Sequence, residues 1–128
     1  MTAHLLVTGA SRGIGRAIAV RLAGPGREIM MHGRDRSALA ETSRMVAARE
    51  GVPRVVVGDL AQTVDVLALV DAVGGPLDVL VNNAGASVVK PLSELTLDEW
   101  QRGLAVGVTA PFLLTQRLLP RMPAGSPP

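Results

Sequence analysis

A glycine-rich turn near the amino end restricts the fold of this chain more than any other feature of its sequence. The run Ala3–Thr8 is short, continuous and apolar, as in a strand that is covered on both faces. The segment Gly9–Gly15, with the sequence GASRGIG, follows it directly, and apolar residues then recur at helical spacing as far as Leu22. A strand that passes through glycines into a helix is typical of the first βα unit of a doubly wound parallel sheet.

The remainder of the sequence alternates short apolar runs with helical patterns, without a longer internal repeat. Such alternation predicts βαβ units, whose right-handed crossovers place helices on both faces of a parallel sheet. We therefore expect a Rossmann-like α/β fold with strand order 3-2-1-4, truncated after the fourth helix. The predicted elements after the first helix are a strand at 28–32, a helix at 36–49, a strand at 53–57, a helix at 64–73, a strand at 77–81 and a helix from about 97 towards 122.

Two of the predicted helices carry signals at their amino ends, and one carries a breaker. Asp35 is placed to cap the second helix, and Thr96 with Glu99 has capping-box spacing at the start of the fourth. Pro111 lacks the N–H that a helix interior requires, so we expect a kink in the fourth helix at this position.

Length and composition exclude several classes of protein. The 128 residues fit one domain, which we divide into a Rossmann unit over 1–122 and a polar Pro/Gly/Ser tail over 123–128. The chain has no Cys, and therefore no disulfide, thiolate metal site or cysteine nucleophile. Its longest weakly polar stretch, Gly103–Thr115, is shorter than the roughly 20 residues of a membrane span. With no signal segment expected either, we predict a soluble, cytoplasmic domain without a membrane partner.

The charge distribution argues against nucleic acid as a partner. Lys and Arg total 13 while Asp and Glu total 11, so the net charge is only +2. The arginines are scattered among acidic residues, whereas nucleic-acid binding requires a basic cluster on one face. A solvated surface is the better interpretation for most of them, although Arg12 and Arg34 lie where a ligand could use them.

The glycine turn, Gly9–Gly15, has the features of a phosphate-binding loop. The amino end of a helix presents unpaired N–H groups and a partial positive charge, which favour a pyrophosphate. Gly9 would permit the tight turn, Gly13 would let the backbone approach phosphate, and Gly15 would let the helix pack closely on the strand. The spacing Gly-x3-Gly-x-Gly differs from the Gly-x-Gly-x-x-Gly fingerprint, so a purely structural loop is the alternative at this point.

The ends of the other three predicted strands carry residues that suit a dinucleotide. Arg34 follows the second strand, where an arginine instead of a carboxylate favours the 2′-phosphate of NADP, and Arg12 could complete a clamp. Asp59 and Leu60 follow the third strand, and the carboxylate could meet the amine of adenine. Asn82–Gly85 follows the fourth. A solvated arginine and amides that only stabilise a loop are the alternatives, but the four signals together indicate NADP(H).

These motifs resemble those of the short-chain dehydrogenase/reductase family, in particular of the 3-oxoacyl-carrier-protein reductases. The resemblance runs from Ala3 to about Met122, roughly the first half of a family member, and includes the helix from Asp98 to Thr115. It implies a cofactor, NADP(H), and hydride transfer between carbonyl and alcohol groups. The cofactor-binding residues that we predict are Gly9, Ser11, Arg12, Gly13, Ile14, Gly15, Arg34, Asp59, Leu60, Asn83, Ala84, Gly85 and Val106.

The resemblance also assigns these residues to parts of the cofactor. By resemblance, Gly9, Ser11, Arg12 and Ile14 would contact the pyrophosphate and adenosine side, and Arg34 would bind the 2′-phosphate. Asp59 and Leu60 would contact the adenine, and Val106 would lie beside the adenine ribose. Asn83, Ala84 and Gly85 would contact the nicotinamide ribose.

The catalytic residues of the family have no match in this chain. The family uses a Tyr as general acid/base, a Lys three residues later, a Ser that orients the substrate and an Asn in the fourth helix. This chain has no Tyr, its sole lysine is Lys90 after the fourth strand, and Gly107 occupies the Asn position. His4 and His32 lie away from the site of hydride transfer. We predict no catalytic residue and no metal ligand, and we expect an inactive chain because positioned proton transfer supplies roughly 10²–10⁴-fold of the rate.

Three functions are compatible with the sequence. The first is an NADP(H)-dependent oxidoreductase of which this chain is the cofactor-binding half. The second is a non-catalytic module that binds NADP(H), or that pairs with a full-length relative through the bare strand edge at 77–81. The apolar face of the fourth helix around Val108 and Phe112, which builds a dimer interface in the family, also permits a homo-oligomer. The third is another Rossmann-like protein such as a methyltransferase, which Arg34 disfavours because the adenosyl ribose prefers an acidic residue there.

Overall fold

The computed structural model describes residues 1–124 and is built around a four-stranded parallel sheet. The strands lie in the order β3-β2-β1-β4, which confirms the predicted order. Residues 125–128, the end of the predicted tail 123–128, lie outside the described residues. The strands are β1 Ala3–Thr8, β2 Arg27–Gly33, β3 Val52–Val57 and β4 Val79–Val81.

Helices cover both faces of the sheet, as the alternation of strands and helices predicts. Leu6 lies in one buried cluster with Leu69 and Leu114, and its neighbour Val7 lies in a second cluster with Leu39. Adjacent strand residues face opposite sides of a sheet, so β1 is buried on both. The helices are α1 Gly13–Leu22, α2 Arg36–Ala48, α3 Thr63–Val73, α4 Leu97–Leu104 and α5 Ala110–Leu118, with a π-helical segment at Ala105–Thr109 and short 3-10 helices at Leu92–Glu94 and Leu119–Arg121.

The fourth strand is shorter than the predicted range 77–81. Only Val79–Val81 forms strand pairs with β1. Leu77 is 2% exposed, belongs to the core, and donates its N–H to the carbonyl of Arg121 at 3.1 Å. The prediction was therefore wrong for the start of this strand. Leu77 is hydrogen-bonded to the end of the last helical segment, Leu119–Arg121, and does not lengthen the exposed edge of the sheet at β4.

Both predicted helix caps are present. The carboxylate of Asp35 accepts a hydrogen bond from the N–H of Ala38 at 3.0 Å, at the start of α2. At the start of α4, the Thr96 hydroxyl accepts from the N–H of Glu99 at 3.1 Å, and the Glu99 carboxylate accepts from the N–H of Thr96 at 3.1 Å. These caps satisfy amides that the helices themselves leave unpaired.

A π-helical segment lies directly before Pro111, the position at which we expected a kink. In Ala105–Thr109 the ladder widens, so that the N–H of Ala110 donates to the carbonyl of Ala105. Pro111 is the second residue of α5, so the wider ladder ends directly before the residue that lacks an N–H. The π segment therefore divides the long predicted helix into α4 and α5.

The described helices are short. The longest, α2, has 13 residues, and α4 has 8. Within residues 1–124, no helix has the length and apolar character needed to span a membrane.

Candidate functional site

An open cleft of about 1030 Å³ lies at the carboxyl ends of the strands. The loops that follow all four strands contribute to it, because parallel strands end at the same edge of a sheet, where ligands of doubly wound folds bind. Helix α4 and the π segment border it as well. The lining residues are Gly9, Ser11, Arg12, His32–Ser37, Gly58–Leu60, Asn83–Val88, Glu99, Arg102 and Val106.

Close backbone packing holds the glycine turn between β1 and α1. Gly9 has a φ of +64°, a left-handed conformation that favours glycine. A Cβ at Gly15 would overlap the carbonyl of Gly9 and lie 2.5 Å from Nδ2 of Asn83. The start of α1 can approach the turn this closely only with glycine at position 15, which is the close packing that the sequence predicts.

The amino end of α1 leaves backbone amides available for an anion. The first N–H groups of a helix have no intrahelical acceptor, and the side chain of the preceding residue, Arg12, bonds to Asp35 instead of capping them. Gly13 is exposed, and no atom of the described residues lies within 4 Å of the place where its Cβ would be. Unpaired amides beside open space fit the pyrophosphate of a dinucleotide.

The loop after β4 is bound directly to the glycine turn. The Asn83 side chain donates to the carbonyl oxygens of Thr8 and Gly9, both at 3.2 Å. The hydroxyl of Thr8 accepts from the N–H groups of Asn83 and Ala84, both at 3.0 Å. The loop-stabilising role that the sequence left open for this amide is therefore present, and it places the neighbouring Ala84 and Gly85 in the cleft wall.

Two arginines enter the cleft from the glycine turn and from the end of β2. Arg12 and Arg34 both line it, as the predicted clamp requires. Nη2 of Arg12 donates to the Asp35 carboxylate at 3.1 Å, so that one carboxylate both caps α2 and orients Arg12. This second role of Asp35 has no signal in the sequence, because it depends on two loops that meet only in the folded chain.

A two-point ion pair joins the end of β3 to α4. Nη1 and Nη2 of Arg102 donate to the two carboxylate oxygens of Asp59, each at 2.9 Å. The hydrogen bonds from Arg102 hold the pKa of the Asp59 carboxyl below its usual range, and the same bonds raise the pKa of Arg102. Sequence analysis predicts Asp59 as a site residue but gives no indication of Arg102, which is 43 residues away.

His32 is a buried titratable group at the floor of the cleft. It is 2% exposed, and neither ring nitrogen has a hydrogen-bond partner among the described residues. Burial lowers its pKa, an effect that the charges of Asp65 and Asp59 partly oppose. The residue lies at the carboxyl end of β2, and its burial favours the neutral ring.

Lys90 and Gly107, the residues nearest to the family's catalytic pattern, have other surroundings here. The ammonium of Lys90 donates to the Glu99 carboxylate at 2.8 Å and so attaches the loop after β4 to the start of α4. That hydrogen bond, with those from Thr96, lowers the pKa of Glu99. Gly107 lies in the π segment, and in the described part of the chain its Cβ position has no neighbour within 4 Å other than adjacent residues and the backbone of its own helix.

Most of the predicted site residues meet in the cleft, and three do not line it. Gly13 and Ile14 are exposed at the start of α1, Ile14 by 73%, while Gly15 is buried beneath the turn. Ile14 therefore does not face the core, although its helical spacing suggests it. The predicted residues that line the cleft are Gly9, Ser11, Arg12, Arg34, Asp59, Leu60, Asn83, Ala84, Gly85 and Val106.

Several lining residues were missed by the sequence analysis, for two reasons. Those that directly extend a predicted motif could have been found by continuing the motif into its loop. Glu99 and Arg102 come from α4, and only tertiary packing brings them to the strand ends. The missed lining residues are His32, Gly33, Asp35, Arg36, Ser37, Gly58, Ala86, Ser87, Val88, Glu99 and Arg102.

Comparison with known proteins gives consistent matches. A family model described as short chain dehydrogenase matches residues 3–127. The chain is 38% identical to the glucose 1-dehydrogenase of Gluconobacter oxydans, over 85% of this chain and 42% of that protein. It is 36% identical to the rhamnolipids biosynthesis 3-oxoacyl-acyl-carrier-protein reductase of Pseudomonas aeruginosa, over 90% of this chain and 46% of that protein.

The fold also matches solved structures. One is the crystal structure of a 3-oxoacyl (acyl-carrier-protein) reductase from Agrobacterium tumefaciens with NADP bound, with a TM-score of 0.84 and 35% identity. The match covers 93% of this chain and 47% of that chain. The chain thus spans less than half the length of these relatives.

Proposed function

We propose, from the premise that the chain belongs to the short chain dehydrogenase family, that its cleft binds NADP(H). The observation that carries this proposal is that one cleft joins the uncapped amino end of α1 to two arginines, Arg12 and Arg34. Helix amides suit a pyrophosphate, and guanidinium groups suit the 2′-phosphate that NAD lacks. The NADP bound to the similar Agrobacterium reductase supports the choice.

We propose one part of the cofactor for each stretch of the cleft, as the family resemblance implies. The pyrophosphate would lie at Gly9–Gly15 and the 2′-phosphate at Arg34. Adenine would reach Asp59 and Leu60 on the β3 side, and the nicotinamide ribose would lie on the β4 side at Asn83–Gly85. In this arrangement β1, at the crossover point of the sheet, lies under the centre of the dinucleotide.

For the whole protein we infer an oxidoreductase that interconverts alcohol and carbonyl groups. A bound nicotinamide supplies or accepts the hydride. The names of the dehydrogenase and reductase relatives support that reaction class. The residues of this chain would bind and orient the cofactor, but the sequence contains no Tyr, and Lys90 is engaged with Glu99. We therefore propose that the 128-residue chain binds cofactor without turnover, because it provides no positioned proton for the alkoxide.

Titration of the chain with NADPH and with NADH, followed by nicotinamide fluorescence, tests the proposal. We expect NADPH to bind at least about tenfold more tightly, since charge-assisted hydrogen bonds to the extra phosphate are absent with NADH. Arg34→Leu should abolish this preference, and Arg117→Leu, a change of an exposed arginine on α5, should leave it unchanged. Failure of NADPH to bind at millimolar concentration contradicts the proposal.

A non-catalytic pairing module is the second candidate, and exposed apolar surface favours it. Trp100, Val108 and Phe112 are 55%, 62% and 59% exposed on the outer side of the α4–α5 region. At the sheet edge, Val79 of β4 is 37% exposed. Apolar patches and open strand edges are surfaces on which chains associate. Under this function the chain would form a homo-oligomer or pair with a full-length relative.

Light scattering coupled to gel filtration tests the homo-oligomer. We expect the mass of a dimer for the chain and the mass of a monomer for Phe112→Ser, since that change removes apolar area from the patch. The exposed Leu92→Ser, outside the α4–α5 patch, is the matched control and should leave the dimer intact. A monomer at every protein concentration contradicts self-association.

A further inference from the structure

The Asp59 carboxylate is held in one orientation by contacts on several sides. Its backbone N–H donates to the Asp65 carboxylate at 2.8 Å, and its backbone carbonyl accepts from the N–H of Gln62 at 2.9 Å. Oδ1 accepts from the N–H of Ala61 at 3.0 Å and from Nη2 of Arg102 at 2.9 Å, while Oδ2 accepts from Nη1 of Arg102 at 2.9 Å. Main chain and side chain are therefore both fixed.

These contacts leave Oδ2 with unused acceptor capacity. A carboxylate offers about four lone-pair sites, two on each oxygen. Both sites on Oδ1 are used, by Ala61 and Arg102, and one on Oδ2 is used by Arg102. The Asp59 side chain is only partly buried, at 29% exposure, and it lines the cleft, so the remaining site is open to a donor on a ligand.

The place of this acceptor matches one group of the cofactor. With the pyrophosphate at the end of β1 and the 2′-phosphate at the end of β2, the base extends to the end of β3, the next strand in the sheet. Leu60 and Val106, which are 6% and 5% exposed, line the same part of the cleft and provide apolar surface for an aromatic ring. Adenine has an amine donor on its ring, whereas hypoxanthine has a carbonyl acceptor at that position.

We propose that Arg102 is a positioning residue that holds the Asp59 carboxylate so that the site selects adenine over hypoxanthine in the bound dinucleotide. The inference rests on the proposed NADP(H) function. Arg102 reaches the base through Asp59: its two-point bond prevents rotation of the carboxylate and directs the free lone pair of Oδ2 into the cleft. Oxygen facing oxygen would repel the hypoxanthine analogue.

A purely structural role for the same ion pair makes a different prediction. No residue of α4 is buried, so the bond to Asp59 also attaches this helix to the sheet. If attachment were its only role, loss of Arg102 would weaken binding of adenine and hypoxanthine dinucleotides equally. The ratio of the two dissociation constants therefore separates positioning from attachment.

The test compares NADPH with its hypoxanthine analogue, reduced nicotinamide hypoxanthine dinucleotide phosphate, by fluorescence titration of the full chain. The unmodified chain should prefer NADPH about tenfold or more, the range for a hydrogen bond to a charged acceptor. In Arg102→Leu this ratio should fall to near one, and in Arg102→Lys, which can restore one of the two bonds, it should be intermediate. Far-UV circular dichroism establishes that each variant is folded.

Two further variants complete the test. Asp59→Asn should reverse the preference, because the amide N–H₂ can donate to the hypoxanthine carbonyl. This variant also tests the proposal if Arg102→Leu does not fold. Arg54→Leu is the matched control, since Arg54 forms a similar ion pair with Glu28 at 2.9 Å outside the cleft. This variant should keep the ratio of the unmodified chain.

The outcomes show whether the role of Arg102, the binding of NADP(H), or both are wrong. If NADPH binds but the unmodified chain does not distinguish the two dinucleotides, or if Arg102→Leu keeps the full ratio, the role of Arg102 is wrong while NADP(H) binding stands. If neither dinucleotide binds, both are wrong. A collapsed ratio in Arg102→Leu together with a reversed ratio in Asp59→Asn establishes the inference.

Discussion

The glycine turn at Gly9–Gly15 and helix α4 border the same cleft, but different contacts hold them. In the turn, the start of α1 touches main-chain atoms, and a single added Cβ at Gly15 would overlap the carbonyl of Gly9. Helix α4 has no buried residue and is attached by side chains, through the bonds of Lys90 to Glu99 and of Arg102 to Asp59. We therefore expect the turn to tolerate an added side chain poorly and α4 to tolerate it well.

The same difference appears in the supporting hydrogen bonds. Arg16, in α1, donates to Thr42 at 2.9 Å and to the carbonyl oxygens of Ser11 and Ala38 at 2.7 and 3.0 Å. Thr42 is fully buried and donates in turn to the carbonyl of Ala10 at 2.9 Å. The ion pairs of α4 are more exposed to solvent, where such pairs contribute less. The glycine turn is thus held by contacts in the core, and α4 is held by contacts nearer the surface.

The largest difference between the turn and α4 is expected in the free energies of unfolding of Gly15→Ala and Gly103→Ala. We expect Gly15→Ala to lower the free energy of unfolding by about 3 kcal/mol, because the new methyl group meets main-chain atoms that cannot move aside. Gly103→Ala, in α4 with no described atom near its Cβ, should raise it by about 0.5–1 kcal/mol. Urea unfolding measures both. A loss in both variants would show that α4 is as rigid as the turn.

The next test compares a buried hydrogen bond with an exposed cap. Thr42→Val removes the hydroxyl that joins Arg16 to Ala10 and leaves buried polar groups without a partner, so we expect a loss of about 2 kcal/mol in the free energy of unfolding. Thr96→Ala, which removes the cap of α4, should cost about 1 kcal/mol. Thermal and urea unfolding would measure the difference. If the two costs are equal, burial does not distinguish the two regions.

The pH dependence of stability distinguishes a buried group, His32 at the end of β2, from Glu99 in α4. Burial lowers the pKa of His32 in the folded chain below its unfolded value of about 6.5, so the unfolded chain binds the proton first. This contribution to stability is complete above about pH 6.5 and is lost as the pH falls below it, with a slope of at most about 1.4 kcal/mol per pH unit. In His32→Leu that slope should vanish from urea unfolding curves taken across this range.

Glu99 provides the control at α4. Its pKa is lowered by its hydrogen bonds, so its contribution is present above its unfolded pKa of about 4.3 and is lost below it. Glu99→Gln should therefore leave the slope near pH 6 unchanged. Persistence of that slope in His32→Leu would assign it to another group.

The smallest expected effect concerns the exposed side of α4. Trp100 is 55% exposed, and truncation to Ser should change the free energy of unfolding by no more than about 0.5 kcal/mol when the chain is dilute. Unfolding measured at low protein concentration checks this value. A large loss would mean that the indole is part of the core, and the contrast with the turn would then be weaker.

Most of the fold could be predicted because its signals are local. The strand β1 was predicted with its observed bounds, and the strand order follows from right-handed crossovers between parallel strands. The departures occur where distant contacts decide. Leu77 leaves the strand because it bonds to Arg121, and Pro111 is accommodated by a π segment that no local pattern indicated.

Sequence analysis could predict the cleft residues that come directly after a strand. Asp59 and Asn83 come directly after apolar runs, and the ends of parallel strands meet at one edge, so their proximity needed no structure. Arg102 could not be predicted in the same way. It lies in an amphipathic helix, and nothing in its neighbours distinguishes it from the other scattered arginines.

The sequence by itself determined which strand ends form the cleft and which glycines line the turn, because hydrophobic period and the conformational range of glycine act over a few residues. Only the tertiary structure decided the pairings of those residues: Arg12 with Asp35, and Asp59 with Arg102. A charged side chain can pair with any opposite charge that packing brings within reach, and segments 23 and 43 residues apart are brought together by the whole core.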